Sequence, residues 1–416
     1  MIKESNLTFV FIILQLIALG GAVNGFTSHS NIVIVLSLLY FYRFKQNLTY
    51  NIRPFIMVLF VIVLWRFMLK EKYPNITFLS GRLYDVLFCF CIVRILGIKK
   101  YFYYFEKAVS MLVLLSFFLW IPIAIFPDIG DLLSQYTLPI FSKNTCDGTW
   151  GIVGFSSKYK IGEQGFFLRN LGFTWEPGRF ASIVVIAFMI HLYRNNFKLL
   201  QKNFLILLFG IISSQSTTGY MAFIICVFAY FKNGERNIKG QIVRYATISI
   251  FIVVLVSAPF MMNKMRDIFN NDNFLTDNTA QWYISEERVY VPQRIEGLVL
   301  ELMNIKESPL IGYGDNSINS FVRTYVFKNV DIRLSNGLLQ IFAILGIPLG
   351  LLIYICLYKS SKMISKIYNV RGNYFIFIVV CSINISYNFF WEPLLLAVVL
   401  YCLFLPKDDR ILLNIK

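Results

Sequence analysis

The residues best equipped for chemistry are one carboxylate and a set of guanidinium groups. Glu176 lies in Arg169-Asn170-Leu171-Gly172-Phe173-Thr174-Trp175-Glu176-Pro177-Gly178-Arg179, with Arg169 and Arg179 bracketing it. Farther along come Arg288, Arg294, Arg323 and Arg333. A guanidinium fork binds two oxygens at once, so arginine suits phosphate and carboxylate ligands.

Each of these groups has a plainer reading beside the chemical one. Pro177 fits the first turn of a helix, which puts Glu176 at the positive helix end and Trp175 in an interfacial belt. The same tripeptide recurs at Trp391-Glu392-Pro393, which favours helix starts at both places but leaves the flanking arginines unexplained. Around Arg288, Arg294 and Arg323 the acids Glu286, Glu287, Glu296 and Glu301 offer surface ion pairs, which are individually weak. Arg66, Arg82 and Asp85 either line a polar cavity or have a plain role, with Arg66 and Arg82 snorkelling and Asp85 pairing with Arg82 three residues away on one helix face. The run Ser213-Ser214-Gln215-Ser216-Thr217-Thr218-Gly219 either satisfies backbone groups at a break between helices or lines a sugar-binding cavity.

Other chemistries lack their residues. There are two histidines, His29 and His191, and six of the seven cysteines fall in apolar runs, so no metal-ligand spacing exists and no metal or cofactor is expected. Gly312-Tyr313-Gly314 lacks the lysine of a phosphate loop.

The elements that must position these groups are membrane spans. Of 416 residues, 57% are hydrophobic and 15% charged; soluble domains carry about 25% charged residues. About 20 apolar residues cross a bilayer. Runs near 7–23, 31–42, 52–69, 79–97, 108–126, 179–193, 203–216, 219–231, 245–262, 336–357, 373–390 and 393–405 give about 12 transmembrane helices in a single multi-span domain over 1–416. The first run is followed by many others and reads as an uncleaved helix. Two outer loops, 127–178 and 263–335, are far longer than the rest and carry the bracketed glutamate and the later arginines. Within the second, Ile295, Leu298, Val299 and Leu302 predict a helix over 293–304 with those residues on its apolar face.

The net charge of +16 resolves by side of the membrane. Cytosolic segments hold 22 basic and five acidic residues, a net +17, and outer segments hold 15 basic and 16 acidic, a net −1. The excess is a positive-inside signal that places both termini in the cytosol, and it gives no reason to expect nucleic acid.

Four segments together resemble the O-antigen polymerase (Wzy) and O-antigen ligase group of bacterial envelope proteins. They are Arg169-x-x-Gly172-x-x-x-Glu176-Pro177, Ser213 to Gly219, Arg294 with the helix leading into Ser308-Pro309-Leu310-Ile311-Gly312-Tyr313-Gly314, and Ser335-Asn336-Gly337-Leu338-Leu339-Gln340 followed by Leu345-Gly346-Ile347-Pro348-Leu349-Gly350. The resemblance implies an all-α integral membrane protein of the GT-C-like glycosyltransferase type, in the bacterial inner membrane, with both large loops periplasmic. It implies an undecaprenyl-diphosphate-linked oligosaccharide substrate and a chain-length regulator as a partner. Ligases of the group typically carry a histidine before the asparagine where this chain has Ser335-Asn336, so the polymerase branch is the expected one. On that reading Glu176 is the catalytic base, and Arg169, Arg179, Arg288, Arg294 and Arg323 bind diphosphate or sugar. The rival readings are an O-antigen ligase, which moves glycan onto lipid A core, and a flippase of lipid-linked oligosaccharide, which would more often show internal repeats.

Overall fold

A computed structural model describes residues 4–21, 26–45, 48, 52–69, 76–126, 128–129, 169–198, 201–234, 294–314, 319–326, 332, 334 and 336–414. Its elements are α1 (Glu4–Gly20), α2 (Asn31–Arg43), α3 (Arg53–Met68), α4 (Ile76–Ile125), α5 (Pro177–Arg194), α6 (Phe204–Ser214), α7 (Thr217–Asn233), α8 (Arg294–Glu307), α9 (Gly337–Ile367), α10 (Phe375–Asn384), α11 (Pro393–Val399), α12 (Tyr401–Phe404) and α13 (Lys407–Asn414). Among the described residues no strand forms, apart from an isolated bridge between Gly21 and Thr174. The architecture is therefore mostly helical, as expected. Two of these helices are long and apolar enough to cross a membrane, Leu79–Ile125 and Gly337–Ile367, and α1, α2, α6 and α10 are shorter apolar helices. The span expected over 245–262 lies outside the described residues, as do 130–168 and 263–293 of the two outer loops.

Helix α5 is the centre of the packing. All of its residues from Pro177 to Tyr193 are buried except Arg179, and it lies against α4, α6 and α7. A helix that is apolar all round must be covered on every side. The outer helices instead leave large side chains uncovered, among them Phe60, Phe67, Phe118, Phe209 and Phe228. A water-facing monomer rarely carries so many, whereas hydrocarbon accepts them.

The two spans read at 79–97 and 108–126 run on as α4, and their connection is helical rather than a loop. Only Gly97 leaves helical geometry, with φ of 62°. Tyr101, Phe102 and Phe105 are buried and pull the connection into the bundle. The backbone N–H of Ile98, released by the break, donates to Asp409 Oδ2 at 3.0 Å. Helix α9 breaks in the same way at Gly346, with φ of 79°.

Candidate functional site

The segment ahead of α5 is built around Asn170. Its side chain is fully buried and its amide donates to Ser116 Oγ at 3.0 Å and Ser213 Oγ at 3.2 Å. Its Oδ1 accepts from the N–H of Gly172 at 2.8 Å, and its own backbone N–H donates to the Ser213 carbonyl at 3.0 Å. Gly172 then turns with φ of 55°, and the Phe180 ring occupies the place a Cβ would take, 2.1 Å away. The Thr174 hydroxyl lies 3.0 Å from the Leu171 carbonyl and 2.8 Å from that of Glu176. The Trp175 N–H donates to Gly20 O at 3.3 Å. These bonds fix the chain up to Glu176, which becomes the N-cap residue of α5 in extended geometry.

The Glu176 side chain does not cap its own helix. Its Oε1 instead accepts from the Tyr387 hydroxyl at 2.5 Å, from the segment that precedes the second Trp-Glu-Pro. The second glutamate is engaged in the opposite direction. Glu392, N-cap of α11, also makes no side-chain cap bond; its Oε1 pairs with Arg179 Nη2. Arg179 Nε also donates to Leu19 O at 3.0 Å, and its guanidinium lies 5.2 Å from the Phe389 ring centre. Ser28 Oγ donates to Glu392 Oε2 at 3.0 Å. The two helix starts are thus crossed: the first carboxylate is held from the second motif, and the second carboxylate from the first. Arg179 does not bracket Glu176 as its position in the sequence suggested. It turns to Glu392, and the pair is 15% and 17% exposed, while Glu176 is half-buried beside a neutral phenol.

A second charged group adjoins Trp391. Asp85, with a fully buried side chain, pairs with Arg82 Nη1 at 3.1 Å as the spacing predicted, and also with His29 Nε2 at 2.8 Å. The Asp85 hydrogen bond raises the His29 pKa above its ordinary value, against an opposing effect of burial. The Arg82 guanidinium stacks 3.9 Å from the Trp391 ring centre.

Arg169 Nε donates to Ser214 O at 3.2 Å, at the end of α6. There the 213–219 run does make a helix break: Gln215 takes a left-handed conformation, and Ser216 Oγ caps α7 by accepting from the Gly219 N–H at 3.3 Å. Arg294 opens α8, Arg323 lies in a π-helical turn (Val322–Val326), and Arg288 is outside the described residues. The helix of the second loop forms where its spacing predicted, but a different face is buried. Leu300, Glu301 and Asn304 are covered, whereas Leu302 is 48% exposed. The cause is polar. Asn304 Oδ1 accepts from the Val322 N–H at 3.0 Å, and Asn304 Nδ2 donates to Glu301 Oε2 at 3.3 Å. Burial pushes the Glu301 carboxyl up to about 8, with the Asn304 hydrogen bond opposing it.

The glycine-rich stretch after α8 is also structural. Tyr313 and Gly314 donate backbone N–H groups to Ala343 O and Ile344 O, at 2.9 and 3.2 Å, across the α9 break. Asn336 Oδ1 caps α9 by accepting from Leu338 and Leu339 N–H, at 3.1 and 3.2 Å. Among the described residues no group of three His, Cys, Asp or Glu side chains is placed to hold a metal.

Sequence reasoning missed Tyr387, Ser28 and the part played by Gly178. One signal was present. The two helix starts differ right after the proline, where the first has Gly178 and the second has Leu394. The Tyr387 hydroxyl lies 2.0 Å from the place a Cβ on residue 178 would take.

Residues 203–355 match a family model described as O-antigen ligase. The matched segment runs from α6 into α9 and contains Arg288, Arg294 and Arg323, while Glu176, Tyr387 and Glu392 lie outside it. No curated protein matches the chain.

Proposed function

We propose that the chain is a bacterial inner-membrane O-antigen polymerase, which joins undecaprenyl-diphosphate-linked repeat units into polysaccharide on the periplasmic face. Support for glycosyl transfer comes from the family match over 203–355 and from the apolar helices. The observation that carries the site assignment is the unequal fate of the two carboxylates. Glu392 is consumed by an arginine, whereas Glu176, among the described residues, is held by a neutral donor at a helix start on the side the positive-inside count assigns to the periplasm.

In this reading a sugar hydroxyl of one lipid-linked unit attacks the anomeric carbon of the glycan on another. The new oxygen–carbon bond forms as the bond to the diphosphate oxygen breaks. The bonding electrons leave with undecaprenyl diphosphate, and the hydroxyl proton passes to a Glu176 oxygen. The diphosphate is already a good leaving group and chiefly needs charge stabilisation. Arg169, Arg294, Arg288 and Arg323 supply it, each with a planar fork suited to two oxygens. Arg179 serves the site differently, by holding the second helix start through Glu392.

The family matched over residues 203–355, described as O-antigen ligase, favours a second reading, that of a ligase. Ser335 in place of the histidine expected of a ligase stands against it. A deletion strain separates the two. Loss of a polymerase leaves lipopolysaccharide capped with one repeat unit, and loss of a ligase leaves no cap. Purified protein given lipid-linked repeat units alone is expected to form a ladder of chain lengths, and the absence of any ladder would overturn the polymerase reading.

A further inference from the structure

We propose that Tyr387 is a positioning residue for Glu176, admitted to it by Gly178. The inference rests on Glu176 being the base. A glutamate at an N-cap ordinarily turns back onto its helix or into solvent, and its rotamers then spread the carboxylate over several positions. Glu176 makes no such cap bond, and the Tyr387 phenol donates to Oε1 at 2.5 Å. One carboxylate oxygen is thereby fixed, which leaves Oε2 to receive the proton.

Three features show that the tyrosine itself is built into place. Gly178 has no side chain where one would meet the Tyr387 Oη at 2.0 Å and Cζ at 2.8 Å. Gly337, the first residue of α9, lets the backbone of the same segment approach, since a Cβ there would meet Asn388 Cα at 2.4 Å and Tyr387 O at 2.5 Å. Asn388 Nδ2 donates to Gln340 Oε1 at 2.7 Å, and the buried Asn384 accepts from the Phe389 N–H at 2.9 Å through Oδ1. Tyr387 is thus clamped between the start of α5 and the start of α9. It carries the position of the second outer loop's end to the carboxylate delivered by the first.

The test is chain extension by purified full-length protein with undecaprenyl-diphosphate-linked repeat units. Tyr387→Phe, Gly178→Ala, the double variant and Glu176→Gln are compared at matched folded fraction. Tyr387→Phe is expected to lower kcat about tenfold or more with KM within about twofold, because misplacing a reacting group costs rate rather than binding. Gly178→Ala displaces the phenol by steric means and is expected to match it, with the double variant no slower than the slower single. Wild-type kcat in Tyr387→Phe, a change confined to KM, or single-variant losses that multiply in the double variant would overturn the assignment. Full activity in Glu176→Gln would instead remove the base reading itself, so the two failures are distinguishable.

Discussion

The first and second Trp-Glu-Pro starts share three residues and the same place at the head of a buried helix, yet their glutamates live in different electrostatic settings. Glu392 is paired with Arg179 and bonded by Ser28, and it ties α11 to α5. Among the described residues Glu176 is held by the Tyr387 phenol. One residue sets them apart: Gly178 opens space for Tyr387, whereas Leu394 is itself buried in the core. Identical local motifs therefore do not predict identical roles, because the groups that decide the role arrive from 211 and 213 positions away in sequence.

Exchanging charge at each start sharpens this contrast. Glu176→Gln is expected to cost about 100-fold or more in the rate of chain extension, the lower end of what a positioned proton acceptor contributes, with little change in thermal unfolding. Glu392→Ala is expected to act on stability instead. It strands a mostly buried guanidinium, and losses on breaking such a pair run to about 3 kcal/mol, readable as a lower unfolding midpoint in detergent. Replacing both partners, as Arg179→Met with Glu392→Leu, should recover most of that loss. A smaller effect is expected at the scaffold of the first start. Asn170→Ala removes three side-chain hydrogen bonds in a buried site and should lower stability by about 2 kcal/mol. The smallest and most conditional effect is at Glu301. The folded protein keeps its proton up to about pH 8, while an unfolded carboxyl loses it near pH 4.5. Between those values the folded state binds a proton that the unfolded chain does not, so stability falls as pH rises. Glu301→Gln should therefore raise the unfolding midpoint most at pH 8 and hardly at all at pH 5.

Much of the fold was legible because hydrophobic runs and helix-start chemistry are local. Pro177, Pro393 and Asn336 each mark a helix start that the structure contains. What failed was long-range. Apolar spacing grouped Leu302 with Leu298 and Val299 on one stripe of α8, yet Leu302 is exposed while Glu301 and Asn304 are buried, with Asn304 accepting from the Val322 N–H. The runs 79–97 and 108–126 read as two separate spans, yet the aromatic residues between them are buried and the connection is helix. At the candidate site the carboxylates were visible and their partners were not. Arg179 is near Glu176 in sequence and serves Glu392, and Gly178 marks an open space after Pro177 without saying that Tyr387, far along the chain, fills it.

The most direct test compares transfer of a single lipid-linked repeat unit by Glu176→Gln with that by the Arg179→Met, Glu392→Leu double variant, in preparations matched for folded fraction. The account predicts extension by the double variant and extension slowed about 100-fold or more by Glu176→Gln. Undiminished extension by Glu176→Gln with loss in the folded double variant would contradict it, and would move the proton acceptor to the second helix start.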